Sequence, residues 1–304
     1  MISQDKIFVS MIGLGHMGGA LAESLLAKGF QITVWNRTES KTTRLKSLGA
    51  EVSSSTEEAA QKSDVIVTCL LDHAATRDAI MSAEIGKALK GKTLVQLSTT
   101  TKDEVDELVD WTESYGIKLL KGGILVYPDD IRAGNGAILY GGSKTLFKQL
   151  HPILMAMGGM PIHICESPAD VVASTSASYS FLYSALLSYL FGTAICHRVG
   201  ISVETFTEKV IEPFISSGSL MRYLSNAGQA AADRDYEGEL QATLDVWDDA
   251  LHQTIKDIEA IDIDTAILKP LKALLENAST NGYGESDIAA VVETLLANKG
   301  EKNT

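Results

Sequence analysis

Two stretches near the start of this 304-residue sequence and one helix-forming stretch in its middle carry side chains with the types and spacing for chemistry. Gly13-Leu14-Gly15-His16-Met17-Gly18 has the glycine spacing of a loop that cradles a diphosphate. The first glycine allows a tight turn, the second lets backbone approach the phosphates, and the third lets a helix pack against the preceding strand. Free N–H groups and the positive end of that helix then face the anion. Asn36-Arg37-Thr38 follows, with Lys41 a turn later. A carboxylate at this place would take a ribose 2′-hydroxyl and repel a 2′-phosphate. Arg, Thr and Lys would bind the phosphate. NADP(H) is therefore expected over NAD(H). Farther on, Tyr179 and Tyr183 are four residues apart and share one helix face with Thr175. Their hydroxyls offer a way to polarise a substrate, directly or through water.

These groups need elements to hold them. Residues 7–12, 31–35, 65–70, 93–97, 117–120 and 137–140 read as short apolar strands alternating with helices near 19–28 and 41–48. That alternation implies an α/β fold with a largely parallel, doubly wound sheet. Ligands bind such sheets beyond the carboxyl ends of the strands. Leu70-Leu71-Asp72-His73 and Ser98-Thr99-Thr100-Thr101 lie at two of those ends. The Thr run also suits a helix cap ahead of Asp103-Glu104. His16 and His73 fall in the right loops without being assigned a proton-transfer role. After about residue 165 the pattern turns helical, over 170–198, 203–227, 237–261, 265–277 and 286–298, with Pro270 expected to kink its helix. The domains expected are 1–165 for the dinucleotide and 166–304 for dimerisation and substrate.

Composition narrows the partners. A net charge of −13 disfavours nucleic acid and anionic membranes. Cys69, Cys165 and Cys196 are widely spaced with no CxxC pair. A disulfide scaffold or metal site is not expected, and a reduced cytoplasmic setting is. Residues 1–6 are too polar for a signal peptide, and 299–304 form a polar tail. Residues 171–196 carry no charge and could span a bilayer by length, but serines and threonines are scattered through them. Burial between domains or subunits is the expected use.

Together with the glycine loop, Val34-Trp35-Asn36-Arg37-Thr38, Cys69-Leu70-Leu71, Gly122-Gly-Ile-Leu-Val-Tyr-Pro128 and Asn281-Gly-Tyr-Gly-Glu-Ser-Asp287 resemble imine reductases and reductive aminases, within the β-hydroxyacid dehydrogenase superfamily. The resemblance implies an N-terminal Rossmann domain, a long interdomain helix near 170–198 and an all-helical C-terminal domain like that of 6-phosphogluconate dehydrogenase. It implies a homodimer with shared active sites. It also implies NADPH-dependent reduction of C=N bonds in cyclic imines or in iminium ions formed from a carbonyl compound and an amine. The cofactor set is Gly13, Leu14, Gly15, His16, Met17, Gly18, Asn36, Arg37, Thr38, Lys41, Cys69, Leu70, Leu71, Ser98 and Thr99.

Hydroxyacid dehydrogenases of the superfamily use a Lys, with an Asn one turn later, on the interdomain helix. No Lys, Arg or Asn occurs between Val171 and Cys196, which disfavours that alcohol chemistry. Imine reductases usually carry Asp or Tyr at the Lys position. Here it falls on Ser176, or on Thr175 with a one-residue shift. A second position, commonly Tyr, falls on Ser184, beside Tyr183. Either Tyr179 or Tyr183 faces the nicotinamide, or Ser176 and Ser184 line a pocket with no strong acid, or both tyrosines belong to a dimer core. Thr99 is expected beside the substrate, and the resemblance adds Phe214, Asp245 and Trp247 as cleft residues. Asp245 would support an iminium charge or simply belong to a solvated face, and Asp287 reads as a helix cap. Two rival functions remain: a β-hydroxyacid or semialdehyde reductase, and an NADPH-binding protein with little catalysis.

Overall fold

Runs such as Val9-Ser-Met-Ile12 and Val65-Ile-Val-Thr68 are too short and too β-branched for helices, and they become strands buried on both faces. In the computed structural model, which describes residues 7–238 and 241–297, eight strands form one sheet. They are β1 (Val9–Ile12), β2 (Ile32–Trp35), β3 (Glu51–Val52), β4 (Val65–Thr68), β5 (Thr93–Gln96), β6 (Lys118–Ile124), β7 (Gly136–Gly141) and β8 (Gly159–Cys165). Their order is β3-β2-β1-β4-β5-β6-β7-β8, and all neighbours are parallel except β6 and β7. The order reverses between β1 and β4, the switch point where such sheets bind ligands.

Helices cover both faces: α1 (His16–Ala27), α2 (Thr43–Ser47), α3 (Thr56–Lys62), α4 (His73–Ile80), α5 (Ala83–Ala88), α6 (Lys102–Tyr115), α7 (Pro128–Ala133) and α8 (Lys144–Gly158). One core layer joins Met11, Val34, Val67, Val95 and Leu120 to Leu21, Leu25, Ile153 and Leu154. The other joins Ile12, Ile66, Leu94 and Leu119 to Ala59, Ile85 and Leu108. Truncating one of these leucines to Ala would cost about 2–5 kcal/mol. The expected Thr cap is Thr101, whose hydroxyl accepts from Glu104 N while Glu104 bonds back to Thr101 N.

The chain divides into two compact units, Met1–Tyr183 and Ser184–Thr304, within the long helix α9 (Val171–Arg198). The expected domain boundary, at residue 165, lies before this division. The unit runs on to Tyr183 because the first turns of α9 pack on β6: Val171 is buried, and a Cβ on Gly123 would strike Thr175. β8 went unread because Pro161 and His163 interrupt its apolar run. It is an edge strand, where a missing N–H does no harm.

In the second unit, α10 (Val203–Phe206) runs through a π turn at Thr207–Ile211 into α11 (Glu212–Ser216). The single helix expected over 203–227 is broken at Gly218, whose φ of 74° a helix cannot contain, and α12 (Ser219–Asp233) follows. α13 (Leu244–Glu259) starts at its Thr243 cap, later than the expected residue 237. Pro270 does not kink a helix. It sits in the first turn of α14 (Lys269–Ala278), where its absent N–H is not needed. α15 (Val291–Ala297) completes the described chain. The polar stretches 1–6 and 299–304, and residues 239, 240 and 298 of two expected helices, lie outside the described residues.

Along α9 only Val171 is buried, and the helix is long and apolar enough to cross a membrane by length and composition.

Candidate active site

The glycine loop is built as its spacing requires. Gly13 has φ 94°, and a Cβ there would run into the Cys69 carbonyl. A Cβ on Gly18 would run into the Gly13 carbonyl, so this glycine lets α1 lie against β1. A Cβ on Gly15 would meet nothing, and the loop opens to solvent there. Gly15 precedes α1 with no side chain capping the first turn and no acidic residue within it. The amides at this helix end are left for an anion. His16 is exposed, Met17 half-buried, and the Leu14 side chain points into the core, so Leu14 offers a ligand only its backbone.

Asn36 does something its position alone did not reveal. Its Oδ1 accepts from Leu14 N at 2.9 Å, and its Nδ2 donates to Thr38 O at 3.0 Å. It therefore ties the glycine loop to the turn carrying Arg37, Thr38 and Lys41. Those three are exposed, and neither cation has an ion-pair partner among the described residues. By contrast Arg44, on the next helix, is paired with Glu23 at 2.6 Å. Leu71, at 85% exposure, projects an apolar side chain from the loop after β4. An open glycine, free helix amides, two unpaired cations and an uncovered leucine fit a dinucleotide with an extra phosphate.

Beyond the glycine loop lies a cleft of about 360 Å³ in the first unit. Met17, Cys69, Leu70 and Leu71 line one side, and Ser98, Thr99 and Thr100 a second. Lys121, Gly122 and Gly123 of β6 form its floor, and Thr175, Ser176 and Tyr179 descend from α9. The Ser98 hydroxyl latches two loops, accepting from Leu70 N at 2.9 Å and from Thr76 Oγ1 at 3.2 Å. Burial pushes the Cys69 thiol up to about 11, so it stays protonated. His73 is buried and bonded to Glu107 at 3.1 Å. A larger hollow of about 720 Å³ opens at the amino ends of β1 and β2, but Lys28 is the only charged residue lining it among the described residues.

The α9 side chains differ in what they can offer. Thr175 Oγ1 donates to Val171 O at 2.8 Å and packs against Gly123. The Ser176 hydroxyl lines the cleft with no hydrogen-bond partner among the described residues. Tyr179 Oη donates to Ile124 O at 2.5 Å, and burial, with Tyr183 beside it, raises its phenol above the ordinary range. Its oxygen lone pairs remain available to accept an N–H. Tyr183 stacks on Tyr179 at 6.0 Å but is 61% exposed and does not line the cleft.

The other sequence candidates belong to the second unit. Ser184 is exposed on α9. Phe214 is 6.5 Å from the Tyr223 ring, and Trp247 lines an apolar groove with Leu251, Leu271 and Leu275. Asp245 is held locally: Ser279 Oγ donates to it at 2.7 Å, and its carboxylate lies against Gly284. Leu244 N bonds Ser286 O and Asp287 accepts from Ala289 N, so the motif at 281–287 is a clasp around the start of α13.

Sequence reasoning missed Lys121 and named Thr100 only as part of its loop. Lys121 is 3% exposed, with Nζ donating to Ser98 O at 3.0 Å and Gly122 O at 2.6 Å. Burial lowers its ammonium to about 8. Thr100 Oγ1 is buried without a partner among the described residues. The available signal was a lone lysine inside the apolar run Leu119-Leu-Lys-Gly-Gly-Ile124, just past the expected strand 117–120.

Residues 8–171 match the family described as the NAD binding domain of 6-phosphogluconate dehydrogenase. Residues 173–297 match the C-terminal domain described as NADPH-dependent reductive aminase-like. The chain is 28% identical to the NADPH-dependent reductive aminase of Aspergillus oryzae, over 96% of this chain and 98% of that one. An imine reductase from Pseudomonas sp. has 30% identity and a TM-score of 0.85, over 96% of this chain and 100% of that one. A reductive aminase from Aspergillus terreus, solved with NADPH and ethyl levulinate, has 26% identity and a TM-score of 0.84, over 95% and 99%.

Proposed function

Because this chain belongs to the imine reductase and reductive aminase family, built on the NAD binding domain of 6-phosphogluconate dehydrogenase, we propose that it reduces C=N bonds with NADPH. The observation that carries the reading is the cleft itself. It begins at the glycine loop, and from α9 it receives Thr175, Ser176 and Tyr179, with no lysine from that helix. Bound at the loop, NADPH supplies the hydride.

The chain's own residues do the rest. Gly13, Gly15, Gly18 and the first turn of α1 hold the diphosphate, and Arg37, Thr38 and Lys41 hold the 2′-phosphate. The Ser98 latch keeps the loops after β4 and β5 together at the cleft. Tyr179 Oη, its own proton given to Ile124 O, accepts the N–H of an iminium ion or of the amine formed from it. The free Ser176 hydroxyl orients the substrate, and Leu70, Leu97 and Val172 keep water from the reacting carbon. The substrate class is a cyclic imine, or a carbonyl compound and an amine that condense to an iminium.

The working unit is a homodimer with active sites shared between chains. Phe181, Tyr183, Leu186, Leu187 and Leu190 are each at least 47% exposed on α9, which favours a second copy of the chain as their cover. A bilayer is a poorer cover. The start of α9 is packed on β6, and the fifteen residues from Ser184 to Arg198 fall short of the ~20 a membrane span needs. Three free cysteines accord with a cytoplasmic location.

The test is NADPH consumption with 2-methyl-1-pyrroline, with NADH run in parallel. Turnover far faster with NADPH supports both the reaction and the phosphate-binding turn. Turnover of a β-hydroxy acid with NADP+ but none of imines would replace this reading with the hydroxyacid one. Tight NADPH binding with no turnover of either would mark a binding protein.

A further inference from the structure

Reduction of a neutral imine consumes a proton as well as a hydride, and the cleft has few places to keep one. Three of its lining residues titrate: Cys69, Lys121 and Tyr179. The Cys69 thiol is pushed up to about 11 by burial. The Tyr179 phenol is raised too, and its proton is already given to Ile124 O. Thr175 returns its hydroxyl proton to its own helix. Lys121 alone is a cation.

Its setting is unusual for a lysine. The side chain is 3% exposed and forms no ion pair among the described residues. Two of its three N–H bonds go to Ser98 O and Gly122 O, the backbone of one cleft wall and of the floor, and the third is unused among the described residues. Across the sheet it is in register with Gln96, and Gln96 with Thr68. The side-chain polar atoms of both, and Thr100 Oγ1, are buried without partners among the described residues. A polar seam therefore runs beneath the cleft, with the ammonium at one end.

Resting on the reading of C=N reduction, we infer that Lys121 is the proton donor of this cleft. Its unused N–H bond breaks, that proton forms the N–H of the iminium, and the electron pair stays on Lys121 as a neutral amine. The hydride then reaches an already activated carbon, and solvent restores the ammonium after the product leaves. The positive charge first held on Lys121 passes through the substrate to the oxidised nicotinamide, so the cleft never holds two cations. Burial sets Lys121 near 8, an acid matched to work close to neutral pH. Burial is the larger influence on that titration, and Cys69, the neighbour that acts on it, pushes it the other way, upward. Cys69 and Tyr140 are held neutral by burial, and β5 contributes Gln96. The residues that α6 and α8 bury, Val105, Leu108 and Thr112 from one and Leu146, Phe147 and Leu150 from the other, are uncharged.

The test compares two substrates of one skeleton: a 3H-indole, a weak base that is neutral in water throughout, and its N-methylated 3H-indolium ion, which needs no proton. Lys121→Met should lower kcat/KM for the 3H-indole about a hundredfold or more, and for the indolium ion less than about threefold. NADPH binding, followed by nicotinamide fluorescence, should persist. In the wild type the 3H-indole rate should fall about tenfold per pH unit above about pH 8, with the indolium rate flat. Equal losses on both substrates, or none on either, would overturn the assignment. If the variant does not fold, a wild-type 3H-indole profile flat through pH 8 would do so. A wild type that binds NADPH but reduces neither substrate would sink C=N reduction itself, and the proton donor with it.

Discussion

The central strands and the long helix have opposite relations to solvent. Every residue of β1, β4 and β5 is buried, and two layers of helices finish the core within one chain. In α9, Val171 is the one buried residue of 28, while Phe181, Leu187 and Leu190 are more than half exposed. Burying one such side chain contributes about 1.5–3 kcal/mol, so leaving several in water forgoes a sizeable part of a domain's stability. The difference teaches that the first unit's core is closed by its own helices, whereas the helix leaves an apolar face uncovered, the face assigned above to the proposed dimer. It also separates the tasks: every residue proposed to hold the cofactor belongs to the first unit.

The largest expected effect lies in the first unit. Gly18→Val would drive a Cβ into the Gly13 carbonyl. NADPH affinity, read by fluorescence titration, should fall by roughly a hundredfold or more, since loop and helix can no longer approach. Affinity within tenfold of wild type would show that this close approach is not what holds the loop. Next comes the helix. Leu187→Asp combined with Leu190→Asp should turn a dimer into a monomer by light scattering and abolish turnover, while NADPH affinity changes less than about threefold. A dimer that survives both charges would place the interface elsewhere. Arg37→Ala should weaken NADPH by roughly ten- to fiftyfold, about 1.4–2.3 kcal/mol, and leave NADH unchanged. Equal losses for both cofactors would mean that Arg37 supports the turn instead of reading the phosphate. The smallest effect is Thr101→Ala, which removes the capping box of α6. It should cost about 1 kcal/mol and a few degrees of Tm, with cofactor affinity intact. A change in affinity would mean that this cap also sets the cleft wall.

How much of this could be read from sequence depended on how local the cause was. The glycine loop, the Thr101 cap and the Asp287 cap are set by neighbours within a few residues, and they stand where the spacing put them. Gly218 ends a helix through its own φ, yet a run of helical-period apolar residues hid the break. Asn36 reads as a cofactor contact, but its brace to Leu14 spans 22 positions and depends on how β1 and β2 pair. Lys121 escaped for a similar reason. The long helix is where the resemblance places the ionisable group, while the sheet carries one to the same cleft from β6. Asp245 looked available as one acid among several on a helix, until Ser279 and Gly284 closed on it.

The Asn36 brace has a practical consequence for redesign. Because one amide joins the diphosphate loop to the turn at 37–41, that turn behaves as an exchangeable cassette with a fixed hinge. Rewriting Arg37, Thr38 and Lys41 toward a carboxylate should convert the protein to NADH while the diphosphate grip survives, provided Asn36 is retained. A library that randomised Asn36 along with them would loosen both grips at once, and most of its members would be lost for reasons unrelated to cofactor preference.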